Sequence, residues 1–169
     1  RTSEFDKKFI EETLSNVYEP LATRVEKEIE KLKERLKEII NQLDDKEFSA
    51  KNKTPVKKAA KNRVFLELLE SFETEVLKDL DVMLAVGDLP GHAEEHARDT
   101  AAEFLRSLSV VSWNTTEEIK ISQVSNQLAL RFADAESLKS AVAEDSSQIK
   151  QIIKNKDEYK MLMRMHETL

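Results

Sequence analysis

From Tyr18 onward the apolar residues fall at Ala22, Val25, Ile29, Leu32, Leu36, Ile39 and Leu43, in alternating steps of four and three. That spacing keeps them on one stripe of an α-helix, and it lasts about three and a half heptads. A strand alternates its side chains with period two and cannot hold such a set on one face. The stretch between them, "EKEIEKLKERLKE", carries opposite charges three apart, such as Glu28 with Lys31 and Glu34 with Lys37. Each such pair is worth a few tenths of a kcal/mol at most, so the stripe directs packing and the charges keep the other faces wet. Leu21 and Ile40 widen the stripe beyond a two-position seam, which favours a bundle over a lone two-stranded coiled coil. An internal antiparallel hairpin and an intermolecular coiled coil both satisfy the pattern. In either case Val25, Ile29, Leu32, Leu36 and Ile39 are the expected packing or self-association residues.

The rest of the chain supports a helical reading. Two glycines and three prolines interrupt 169 residues that are 40% apolar and 36% charged. Two glycines cannot supply the glycine-rich turns of phosphate or dinucleotide cradles. With no cysteine there is no disulfide framework and no thiolate chemistry. No run approaches the roughly 18 apolar residues of a membrane span. The expected setting is cytoplasmic, with a secreted or surface-exposed adaptor as the alternative. The chain opens on Arg1 and ends on "MHETL" within a helical pattern, which reads as a domain fragment of a larger protein.

Residues 44–58 read as a loop, with Pro55 at the first position of a second helix that runs to about Ala85. Gly87 stops it. Asp88 and Pro90 open a third helix to about Leu108, whose Ala93, Ala97 and Ala101 imply close approach to a neighbour. The character then changes. Ile119 and Ile121 alternate with Lys120 and Ser122, and Leu128, Leu130 and Phe132 alternate with Ala129 and Arg131. This predicts a short β-hairpin, with a possible preceding strand at Val110–Val111. Asp134 is the expected cap of the next helix, renewed at Ser146 or Ser147. The final helix carries Ile149, Ile152, Ile153, Tyr159, Leu162 and Met163 on one face. The expected fold is mainly α: an elongated helical bundle or hairpin with a small β-hairpin insertion, α+β in the limit. Residues 1–109 form the helical segment, and residues 110–169 pack on the same body.

Two stretches raise chemical alternatives. "HAEEH" contains H-x-x-E-H, which resembles the motif of the inverzincin peptidases. The resemblance implies that His92 and His96 would hold a zinc ion and Glu95 would act as base. It covers five residues, and the third ligand and the large α/β domain of that family are not visible; the only other histidine is His166. The second stretch is "KNKTPVKKAAKNR", residues 51–63, with six basic residues and no acid. Residues 67–103 hold eleven acids against Lys78 and Arg98. The net charge of −6 is therefore polarised. Lys57 and Lys58 could dock on an acidic protein surface, or on nucleic acid or acidic lipid, but no aromatics interleave with them. Trp113, the single tryptophan, serves either as a core anchor or as an exposed hot spot.

The leading expectation is a non-enzymatic interaction or scaffold domain without a cofactor. Its partner would be another protein or another copy of itself. A small zinc-dependent hydrolase and a weak nucleic-acid or acidic-lipid module are the alternatives.

Overall fold

A computed structural model describes residues 3–43, 55–86, 93–116 and 118–168. Helix α1 is Glu4–Leu43, α2 Pro55–Phe72, α3 Lys78–Val86, α4 Ala93–Thr116, α5 Ile119–Phe132 and α6 Glu136–Glu167. A π-helical turn, Glu73–Leu77, joins α2 to α3 without a break. Among the described residues there is no strand.

The residues between which contacts form fix the direction of each helix. His96 and Glu103 of α4 meet Glu26 and Lys33 of α1, so α1 and α4 run parallel. Arg98, Arg106 and Trp113 of α4 meet Asp134, Asp145 and Lys156, so α6 runs the same way. The α2–α3 rod runs opposite to α1, with Arg24 on Asp79 and Arg35 on Ser71. Helix α5 runs opposite to α4 and α6, through Ser109–Ser122 and Asn126–Val142. Helix α4 touches α1, α2, α3, α5 and α6, and is the axis of the bundle.

The heptad stripe of α1 turns inward. Val25 and Ile29 are 0% exposed, Leu32 and Leu36 are buried, and Ile39 is half-buried against the same core. They pack with Phe65, Leu68 and Phe72 of α2 and with Phe104, Leu105 and Leu108 of α4. The alanines of α4 at 97, 101 and 102 are fully buried, as close helix approach requires. Glu28–Lys31 and Glu34–Lys37 do form ion pairs on the outer face, at 2.7 and 3.7 Å.

The π turn has a cause in the sequence. Leu68, Phe72, Val76 and Leu80 are all buried and each lies four residues from the next. In an α-helix a four-residue step overshoots a full turn by about 40°. Three such steps would carry Leu80 away from the face that Leu68 occupies. A π turn takes in more residues per turn and brings the stripe back.

The predicted β-hairpin is absent; residues 119–132 are helix α5 instead. Its buried positions are Ile121, Ser122, Ser125, Asn126, Ala129 and Phe132, a helical spacing. Half of that face is small and polar, so hydropathy does not reveal it. The alternation was carried by side chains that face outward, such as Leu130, or lie half-buried, such as Ile119 and Leu128. The strand expected at Val110–Val111 is likewise helix, because α4 continues to Thr116. Here too the inward residues are polar: Ser109, Ser112 and Thr116. Helix permits this because their hydroxyls have partners. Ser109 Oγ donates to the Ser122 carbonyl at 2.8 Å, and Thr116 Oγ1 donates to the Ser112 carbonyl at 2.8 Å.

Ser125 is different. Its hydroxyl is fully buried and has no hydrogen-bond partner. An unmet buried hydroxyl carries its desolvation cost with no return. Ser125→Ala is therefore expected to leave stability unchanged or raise it by up to about 1 kcal/mol, read from the urea midpoint. A loss of similar size would mean that the hydroxyl is satisfied.

Candidate interaction surface

Among the described residues, helix α6 is held to the body as far as Lys156. The connection from α5 is fixed by two neighbouring side chains of α4. Asp99 Oδ1 accepts from the backbone N–H groups of Asp134 and Ala135, at 2.7 and 3.1 Å. Arg98 Nε donates to the Phe132 carbonyl at 3.2 Å, and its Nη1 lies 3.2 Å from the Asp134 carboxylate. The expected cap at Asp134 is thus not a cap. The helix N-cap is Ala135, which makes no side-chain cap bond, and Asp134 is an ion-pair partner. Nor does the helix renew at Ser146 or Ser147: it is continuous.

Further along, Arg106 Nε lies 2.6 Å from Asp145, which draws α6 onto α4. The hydrogen bond to Asp145 holds the Arg106 guanidinium above its ordinary pKa. Ile149 is the last buried residue, and Ile152 and Ile153 are half-buried. Lys156 Nζ sits 5.1 Å from the centre of the Trp113 ring, a cation–π contact at the end of α4. Trp113 is itself half-buried there, a position between the two roles expected for it.

From Lys154 to Thr168 every residue is exposed. The fourteen helical residues from Lys154 to Glu167 span about 21 Å. This arm stays helical for local reasons. Its Lys, Met, Leu and Glu residues are good helix formers. Lys154 pairs with Glu158 at 3.9 Å, and Arg164 and His166 lie at the negative end of the helix dipole. It also carries apolar side chains that are largely exposed. Tyr159 is 65% exposed, Met161 64% and Leu162 63%, with Met163 and Met165 also exposed. Tyr159, Leu162 and Met163 prolong the stripe of Ile149, Ile152 and Ile153, and so extend the face that packs on α5 beyond the end of α5. Burying one such large apolar side chain is worth about 1.5–3 kcal/mol. Methionine adapts its shape to varied partners at little cost.

A second concave region lies between α1, α4 and the start of α6. It is an open groove of about 440 Å³ lined by Ile40, Val110, Val111 and Leu138, with Glu103 and Arg106 among its polar residues. Arg106 is already engaged by Asp145.

The residues singled out from sequence do not converge on a chemical site. Val25, Ile29, Leu32, Leu36 and Ile39 belong to the chain's own core or its edge. Lys57 and Lys58 lie in the first turn of α2, and their side chains are outside the described residues. His92 is also outside them. Glu95 and His96 are exposed on α4, and His96 Nε2 lies 3.8 Å from Glu26 Oε1, an ion pair when the ring is protonated. Among the described residues no group of three His, Cys, Asp or Glu side chains is placed to hold a metal. In the same set no helix is long and apolar enough to cross a membrane. The stripe of α6 was visible in the sequence, but it read as one more core face, because nothing there shows that α5 ends too soon to cover it. No family model matches this chain, and neither a curated protein nor a solved structure matches it.

Proposed function

We propose that this chain is a non-enzymatic interaction domain that offers the projecting half of α6 to a protein partner. The observation that supports the reading is the unshared apolar stripe of Tyr159, Leu162 and Met163 on a well-formed helix. Such a face is the usual element of helix-in-groove and helix-on-helix recognition, where anchors recur at i, i+3 and i+4. The bundle acts as the rigid mount: Asp99, Arg98 and Arg106 fix where the arm leaves the body. A cytoplasmic setting goes with this proposal.

The test is affinity capture with the wild-type chain and with Leu162→Glu/Met163→Glu as baits. Both side chains are exposed, so the variant is expected to keep the wild-type unfolding midpoint. A protein retained by the wild type and lost by the variant, then shown to bind directly when purified, supports the reading. Partners held equally by both baits would place the binding elsewhere. Absence of any direct partner, together with absence of self-association, would end it.

A further inference from the structure

A second arm leaves the opposite end of the bundle. Among the described side chains of α1, Ala22 is the first that is buried, and every one from Ser3 to Pro20 is exposed. Phe5 and Phe9 are 78% and 63% exposed. Because α1, α4 and α6 run parallel, the α1 arm extends past the start of α4 and the α6 arm past its end. The 24 residues of α4 separate them by about 36 Å, so the two arms of one molecule cannot meet.

Their charges are opposite. Residues 4–20 hold five acidic and two basic side chains, whereas the α6 arm, residues 154–168, holds four basic and three acidic ones. Lys160 and Arg164, four apart, lie on one flank of the apolar stripe, and Lys156 sits within it, over the Trp113 ring. Glu4, Asp6 and Glu12 are acidic and lie near Phe5 and Phe9 in sequence. Each arm thus offers exposed apolar side chains together with a net charge opposite to that of the other.

We propose that the α6 arm of one molecule packs on the α1 arm of a second copy, head to tail. This names the partner for the surface described above and so rests on that reading. The two arms differ, so the contact is heterologous, and repetition gives open chains rather than a closed dimer. A seam of two short helices is small beside the 1,200–2,000 Å² or so of a stable interface, which makes the association weak and concentration-dependent. Charge complementarity sets the pairing of unlike arms and opposes contact between like ones.

Sedimentation velocity over the micromolar-to-millimolar range tests this. The mean mass of the wild type should rise above the 19.4 kDa monomer without levelling at a dimer. Leu162→Glu/Met163→Glu should weaken association by about tenfold or more. Two charge-reversed proteins make the decisive pair. One carries Glu4→Lys, Asp6→Lys and Glu12→Lys; the other carries Lys160→Glu and Arg164→Glu, which leaves the Lys156–Trp113 contact in place. Each alone has arms of like sign and should remain monomeric. Mixed, they restore both unlike contacts and should associate again. A wild type that stays monomeric overturns the inference, as does self-association that ignores these reversals. A monomer that still retains a different protein through Leu162 and Met163 would defeat the second-copy assignment while leaving the interaction reading intact.

Discussion

Phe72→Ala is expected to destabilise the fold by about 3–5 kcal/mol, the range for removing a buried aromatic ring. Phe72 is 0% exposed and closes α2 just before the π turn. Its ring centre lies 5.9 Å from that of Phe104, stacked, and 6.5 Å from that of Phe132, edge-on. It therefore joins α2, α4 and α5 at one point, and each aromatic pair adds about 0.5–1.5 kcal/mol beyond burial. The cavity left by alanine cannot collapse easily, because all three helices are held by other contacts. A domain of this size has about 5–15 kcal/mol of total stability, so one substitution removes a large part of it. Urea unfolding should show a much lower midpoint with an unchanged slope. Phe9→Ala serves as the control, since its ring is mostly exposed; a change within about 0.5 kcal/mol is expected there. Similar effects at both positions would refute the three-ring cluster.

Asp99→Ala is expected to cost about 1.5–3 kcal/mol, the scale of hydrogen bonds to a charged group. The carboxylate receives two backbone N–H groups from the α5–α6 connection, which has no side-chain cap of its own. Without it those donors lose their partner, and Asp134 keeps only its ion pair with Arg98 as a tie to α4. Asp99→Asn keeps one acceptor oxygen and should lose less. The amides of Asp134 and Ala135 provide a local readout: their hydrogen exchange should speed up in the alanine variant more than the global change in stability accounts for. Unchanged protection at those two amides would show that the connection is held by other contacts.

The legibility of this fold follows from how each helix fills its inner face. The stripe on α1 is apolar throughout, and large from Val25 onward, so its period is plain in the sequence. Whether it faces its own chain or another cannot be read from the period, because both arrangements use the same spacing. The parallel course of α4, with alanines where the backbones approach, decides it. Helix α5 was hidden because Ser122, Ser125 and Asn126 occupy its inner face. Such residues read as turn or surface; Ser122 and Asn126 are accommodated through partners such as the Val142 carbonyl for Asn126, whereas the Ser125 hydroxyl has none. The steps of four from Leu68 to Leu80 were a signal of the π turn, though an unspecific one. The arms were the least legible part, because exposure depends on where a neighbouring helix stops.

The central position of α4 also distributes the entropy of folding unevenly. Helices α4, α5 and α6 are consecutive, and their ties join residues 13 apart at Ser109–Ser122 and 39 apart at Arg106–Asp145. Helix α1 is tied through Arg24 to Asp79, 55 residues away, and through Glu26 to the still more distant His96. The cost of closing a loop rises with its length, slowly but without limit. Contacts between distant residues also slow a chain's search for its native topology. The docking of α1 on α4 thus carries the largest single closure cost in the molecule, and the heptad stripe is the apolar surface that offsets it.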